Sequence, residues 1–152
     1  MRQKLFMPVA RELIECARAF ELCSNAHVRE LHLTPAQFDI IATLGNTKGM
    51  TCKELGDKTL ITKGTMTGVL DRLEGKGLLE RLPSPQDGRS WITRLTNKGQ
   101  AVFEDIFPAH IKHLEPLFAD ISDKELCTMR AQLRRLREAF DLHRTHDRAN
   151  GA

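Results

Sequence analysis

Helical periodicity runs through most of the chain and gives way once, near the middle, to strand periodicity. Leu5, Val9, Leu13, Cys16 with Ala17, Phe20, Cys23 and His27 recur at steps of three and four. That spacing predicts one long amphipathic helix from Leu5 to about Leu31. Thr34-Pro35-Ala36-Gln37 has the form of a capping box with proline in the first turn, so a second helix opens there. Its dense run Phe38, Ile40, Ile41 and Leu44 predicts central core, and Gly45 and Gly49 bracket the loop that follows. Thr51-Cys52-Lys53-Glu54 is a second capping box, and the short third helix it starts reaches about Lys58 before Thr59-Leu60-Ile61 turns the chain. Thr62 caps a fourth helix with Met66, Val69, Leu70 and Leu73 on one face, ended by Gly75 and Gly77, as C-terminal glycines end helices.

The period then changes. Leu78–Leu82 and Ser90–Leu95 read as short strands, and Pro83-Ser84-Pro85-Gln86-Asp87-Gly88-Arg89 between them is rich in turn formers, which predicts a two-stranded hairpin with a basic tip. Thr96 caps a fifth helix carrying Ala101, Val102 and Ile106, with Pro108 as an expected kink. Ser122-Asp123-Lys124-Glu125 is a third capping box, and Leu126, Met129, Leu133, Leu136 and Phe140 stripe the last helix. Beyond His143 the pattern stops, so residues 144–152 are expected to fray.

The fold class expected is mainly α with a small β-hairpin wing (α+β). Residues 34–100 form a winged helix–turn–helix, and residues 1–33 and 101–143 supply N- and C-terminal dimerisation helices. Both end helices carry apolar stripes that must be buried, and the economical partner is a second copy of the chain related by a two-fold axis. A monomeric bundle is the alternative.

Composition narrows the class. At 152 residues the chain can bury a core without metal or disulfide staples. It has no run of about 18 apolar residues to span a membrane. Its charged first turns lack a signal-peptide core, so a cytoplasmic protein is expected. The net charge of +3 is unevenly spread: residues 48–100 hold ten basic and six acidic side chains, whereas the two flanks are close to neutral. A basic middle is a footprint of nucleic-acid binding.

The middle also has the right residue types. The expected start of the fourth helix offers Thr62, Lys63, Gly64, Thr65 and Thr67. Hydroxyls bond phosphates and base edges, glycine admits close approach, and lysine adds charge. Arg89, beside Ser90 on the protruding tip, suits a narrow minor groove. Asp87 reads as a support for the wing, ion-paired with Arg94 across the hairpin. The bland alternatives are an ordinary solvated helix start and a plain surface turn.

The string DRLEGKGLLERLPSPQDGRSWITRLTNKG resembles the winged-helix core of the MarR family of bacterial transcriptional regulators. The likeness extends back through TCKELGDK and TPAQFDIIATL to the first helix and forward to the last. It implies a dimer whose fourth helices enter adjacent major grooves of a pseudo-palindromic double-stranded operator while the wing arginine enters the minor groove. One departure is that Thr59-Leu60 stands where many relatives have Leu-Gly. If that turn needs a left-handed backbone, Leu60 costs about 1 kcal/mol.

The resemblance further implies a pocket for small anionic aromatic ligands between the dimerisation helices and the winged domain, with Arg18, His27, Phe38 and His110 as candidates. Cys16 falls where a peroxide-sensing branch carries its reactive thiol, and Cys127 could resolve it from the other subunit. That branch pairs its cysteine with tyrosines, and this chain has none, so the alternative is a small apolar residue in the dimer core. The four cysteines form no C-x-x-C pair, and the Glu-His pair of zinc-sensing relatives is Phe38-Asp39 here, so no metal site and no cofactor is expected. The six histidines, His110 and His113 among them, then read as solvated or pocket-lining. No nucleophile–base pair or phosphate loop can be placed, so an enzyme is not expected. The function read from the sequence is a ligand-released repressor. The alternatives are a thiol-based repressor and a winged-helix protein-interaction module.

Overall fold

A computed structural model of the protein describes the backbone of residues 2–150 and the side chains of residues 5–144. In chain order the elements are α1 (Arg2–Glu30), α2 (Pro35–Leu44), β1 (Met50–Thr51), α3 (Cys52–Lys58), α4 (Lys63–Gly75), β2 (Leu79–Pro83), β3 (Trp91–Leu95), α5 (Asn97–Leu114), a single 3-10 turn (Glu115–Phe118) and α6 (Asp123–Asn150). The chain divides into two compact units, residues 1–114 and 115–152.

The expected helix signals act where they were read. Thr34 accepts a hydrogen bond from the Gln37 amide while the Gln37 side chain accepts one from the Thr34 amide. Thr51 and Glu54 repeat the arrangement at α3, and Ser122 and Glu125 at α6. Two helices end in Schellman motifs. After α4 the Leu78 amide donates to Leu73 and the Gly77 amide to Glu74, with Gly77 at φ +70°. After α1 the Leu33 amide donates to Val28 and His32 to Arg29, and His32 takes the left-handed position at φ 60°.

The sheet has three strands rather than two. The order is β1-β3-β2, all antiparallel, with Met50 opposite Thr93 and Leu79 opposite Leu95. The extra strand is only two residues long, and its second residue doubles as the α3 cap, so it carries no alternation that a sequence pattern could show.

The core of the first unit is aliphatic. Ile40, Ile41, Leu44, Leu55 and Leu73 are fully buried, with Met66, Val69, Leu70 and Leu79 around them and Phe103 and Ile106 from α5. Helix α1 joins this core through Val28, near its C-terminal end. Its earlier stripe stays open: Leu5 is 69%, Val9 54% and Phe20 44% exposed. At 29 residues the helix is about 43 Å long, so most of it extends beyond its own domain's core. In the second unit α6 likewise leaves Met129, Leu133 and Phe140 exposed. Its backbone is helical to Asn150, past residue 144 where an unpatterned tail was expected; residues 151 and 152 lie outside the described residues. Helix α5 continues through Pro108 as one element.

Candidate nucleic-acid interface

Helices α3 and α4 are joined by Thr59–Thr62, and the turn is held from both sides. The Thr59 hydroxyl donates to the Leu55 carbonyl at 2.7 Å and is buried. The Leu60 amide donates to the Asp39 carboxylate at 3.4 Å. Burial raises the Asp39 pKa, partly offset by that amide. Leu60 does not adopt positive φ, so the strain expected there is absent, and its side chain is 91% exposed. Sequence reasoning missed Asp39 as the bracket of this turn because the contact spans 21 residues.

Helix α4 presents its first turn to solvent. Thr62, Lys63, Gly64, Thr65 and Thr67 are all exposed, whereas Met66, Val69, Leu70 and Leu73 point inward. Thr62 is the N-cap residue but makes no capping bond; its hydroxyl donates to the Thr65 hydroxyl at 3.2 Å. Here the cap side chain leaves the amides to another acceptor, and α2, α3 and α6 show what a closed cap looks like in this chain.

The wing tip is shaped by short polar contacts. Asp87 Oδ1 accepts the Arg89 amide at 3.0 Å, and the Asp87 carbonyl accepts both the amide and the hydroxyl of Ser90. Ser84, buried beneath the tip, accepts the Gln86 and Asp87 amides and donates its own amide to the Ser90 carbonyl. Asp87 thus bonds within the wing tip, and the ion pair with Arg94 read from the sequence does not form. Arg94 pairs with Glu80 at 2.7 Å, its direct cross-strand partner in the register. Position explains the correction: Arg94 lies four residues down β3 from the tip, beyond the reach of Asp87. The Arg89 guanidinium is exposed and has no partner among the described residues.

The base of the wing is fastened to α4 by a contact that pattern reading passed over. Arg81 on β2 donates from Nη2 to Asp71 at 2.7 Å and from Nε and Nη2 to Glu74. These bonds hold the Glu74 carboxyl below its usual range. The i,i+3 spacing of Asp71 and Glu74 on α4 was the available signal.

Away from this surface, three imidazoles meet where α1, α2 and α5 join. His27 Nδ1 and His110 Nδ1 lie 2.9 Å apart, so one ring must carry its proton there and the other must not. His110 Nε2 is 3.1 Å from the Ser24 hydroxyl. His113 stacks on His27 and Phe38 tilts against His110. His110 is buried, and burial, then the neighbouring His27 and His113, lowers its pKa. The structure thus gathers His27, Phe38 and His110 but leaves Arg18 apart, exposed and nine residues earlier on α1, about 13 Å along the axis. No group of three or more metal-ligating side chains occurs among the described residues. Cys16 and Cys127 are exposed free thiols, as are Cys23 and Cys52. Cys16 has no hydrogen-bond partner among the described residues.

Residues 33–98 match the family model described as MarR family. The HTH-type transcriptional regulator MhqR of Bacillus subtilis is 32% identical over 127 residues, covering 82% of this chain and 85% of that protein. The chain belongs to the MarR family. A crystal structure of a mutant of E. coli MarR complexed with operator DNA superposes with a TM-score of 0.75 at 26% identity, covering 86% of this chain and 94% of that one. PcaV of Streptomyces coelicolor, solved in complex with its natural ligand, shares the fold at a TM-score of 0.68 and 23% identity, over 82% of this chain and 90% of that one. MhqR is an HTH-type transcriptional regulator, and the E. coli MarR mutant was crystallised on operator DNA. Among the described residues no helix is long and apolar enough to cross a membrane.

Proposed function

We propose that the protein is a homodimeric repressor that occupies a pseudo-palindromic operator and is released by a small anionic aromatic ligand. The start of α4, Thr62 to Thr67, reads the major groove, and Arg89 with Ser90 enters the adjacent minor groove. The observation that carries the reading is the pairing of an unpartnered guanidinium on the wing tip with an exposed, hydroxyl-rich helix start whose cap side chain bonds no helix amide. Every other arginine of the sheet is already engaged with a carboxylate, so Arg89 is the wing charge left for phosphate or groove. The open stripes of α1 and α6 support dimerisation, since exposed apolar area of this extent marks an interface. The imidazole cluster with Phe38 supports a ligand site at the α1–α2–α5 junction, where aromatic carboxylates are the class to titrate against the bound complex.

The deciding experiment is fluorescence anisotropy of labelled DNA with the full chain. Duplex selected by the protein from a random library is titrated at several salt concentrations. Wild type should bind with steep salt dependence. Arg89→Ala should lose about tenfold or more in affinity and show a shallower salt slope, with an unchanged sedimentation coefficient. Equal affinity and slope in the two proteins would remove the wing from the interface. Salt-independent or absent binding of wild type would favour a protein-interaction module.

A further inference from the structure

The one tryptophan of the chain stands between the two DNA-reading elements. In an antiparallel ladder, directly opposed residues share a face of the sheet. The register sets Leu79 with Leu95, Arg81 with Thr93, and Pro83 with Trp91. Leu79 and Thr93 are buried and Arg81 reaches Asp71 and Glu74, so this face is the one turned to α4. Its layers run outward from core, through the ion triad, to Trp91. Along α4 the same progression runs from Glu74 back to Thr67, which falls on the same stripe seven residues earlier. Trp91, Thr67 and Cys52 line one shallow groove with Leu70 and Arg81.

Trp91 closes this groove at its outer end, and an aromatic of this size is 57% exposed there. Its indole N–H has no acceptor among the described residues. The carboxylates of Asp71 and Glu74 sit at the inner end and are engaged by Arg81. Lys53, next to Cys52 in sequence, and Lys63, at the α4 start, are exposed and unpartnered among the described residues, and Arg89 is two residues before Trp91.

We infer that Trp91 is a further DNA-binding residue, seated against the sugar–phosphate strand that separates the major groove entered by α4 from the minor groove reached by the wing. This rests on the DNA-binding mode proposed above. A body with one element in each of two adjacent grooves must straddle the strand between them, and the groove lined by Thr67 and Trp91 is the space left for it. The indole covers sugar carbons with its face and donates its N–H to a phosphate oxygen. Such a contact fixes register and carries no base preference.

The chain contains one Trp and no Tyr, so its emission reports this residue alone. The full chain is titrated with a library-selected duplex while labelled-DNA anisotropy and tryptophan emission are read in parallel. The expected result is a change in emission, and protection of Trp91 from acrylamide quenching, with the same midpoint as the anisotropy curve. Trp91→Ala should weaken binding about tenfold on selected and unselected duplex alike, because a backbone contact is sequence-blind. Trp91→Phe should recover part of that loss by restoring the aromatic face. Circular dichroism of each variant confirms the fold, and the exposed position makes unfolding an unexpected result. Binding by anisotropy with unchanged emission, unchanged quenching and full affinity in Trp91→Ala would overturn the inference and leave the DNA-binding mode standing. Absence of binding by the wild type would overturn both.

Discussion

Gly99 is the position where one added carbon should do most harm. It lies in the first turn of α5, and a Cβ there would stand 1.8 Å from the Leu78 carbonyl oxygen and 2.9 Å from its carbon. A carbon–oxygen contact settles near about 3.3 Å, so helix and loop must part by about 1.5 Å. The obstacle is backbone on both sides, and Leu78 O already accepts the Thr96 amide at 3.1 Å. The same knot includes the Thr96 hydroxyl, which donates to the Gly77 carbonyl at 2.7 Å and accepts the Gly99 amide. Overpacking of this kind costs about 1–3 kcal/mol, and loss of the Leu78–Thr96 bond adds about 1 kcal/mol. The better helix propensity of alanine offsets about 0.5–1 kcal/mol. Gly99→Ala should therefore destabilise by about 1–3.5 kcal/mol, or roughly 2–14 °C in Tm for a chain of this size. Thermal unfolding followed by circular dichroism measures it, at one fixed protein concentration because association raises apparent stability. Gly56→Ala is the control: it lies within α3 with nothing within 4 Å of the added carbon, and it should stabilise by about 0.5–1 kcal/mol. A Gly99→Ala protein that melts at or above the wild type would refute the close approach of α5 to Leu78.

Gly64 should separate folding from binding. Its added Cβ would meet nothing within 4 Å, so Gly64→Ala should leave the Tm equal or slightly higher, by up to about 1 kcal/mol in stability. In anisotropy titrations it should nonetheless lose roughly tenfold in DNA affinity, since the methyl occupies the space between helix and groove; retained affinity would place the α4 backbone away from DNA. The His110 pKa is lowered in the fold, first by burial and then by His27 and His113, so the unfolded chain takes up its proton first as pH falls. The stability tied to neutral His110 should be complete above the unfolded value of about 6.5 and decline as pH drops below it. Urea midpoints measured from pH 7.5 to 5 should fall, and His110→Gln should flatten that part of the profile; parallel profiles would assign the loss to other groups.

Much of the fold is legible in the sequence because its signals are local. A capping box closes within four residues, which is why Thr34, Thr51 and Ser122 mark helix starts unaided. The α4 face of Met66, Val69, Leu70 and Leu73 follows from spacing alone. What stayed hidden depends on distant partners. Strand β1 exists only because β3 offers Ile92 and Thr93 to Met50 and Thr51. Arg94 has carboxylates to choose from on both sides of the hairpin, and the register decides for Glu80. Arg81 reaches back ten residues to Asp71, and neither residue is unusual where it stands. Trp91 was seen as one aromatic in a strand, and its place beside Thr67 is a product of register and strand face together. His27 lies on the α1 stripe, and the fold sets its ring against His110 across 83 residues of sequence.

That partnership bears on how a switch could work. Helix α1 is 29 residues long, yet its hold on the first unit's core is concentrated in its last turns, where Val28 is buried and Ser24 and His27 meet His110. In the proposed dimer the exposed stretch from Leu5 to Leu22 would be held by the partner subunit, so this joint fixes the angle at which each winged domain is carried. A helix start some distance from the joint moves in proportion to that distance, and a rotation of a few degrees there would shift α4 out of step with its groove. The joint adds to the apolar anchor of Val28 a polar contact, with a shared proton and a hydroxyl. Polar contacts of this kind have discrete alternatives in protonation and ring orientation, whereas the aliphatic packing of Ile40, Ile41 and Leu44 has few. A ligand that binds one arrangement of the imidazoles better than the other biases the spacing of the two recognition helices by its differential affinity, and by no more than that. The residues proposed to touch DNA and the residues that would set operator spacing are thus separate sets, joined through α2 and α5. Substitutions at Ser24, His27 or His110 should accordingly alter ligand response more than the affinity of a single winged domain for DNA.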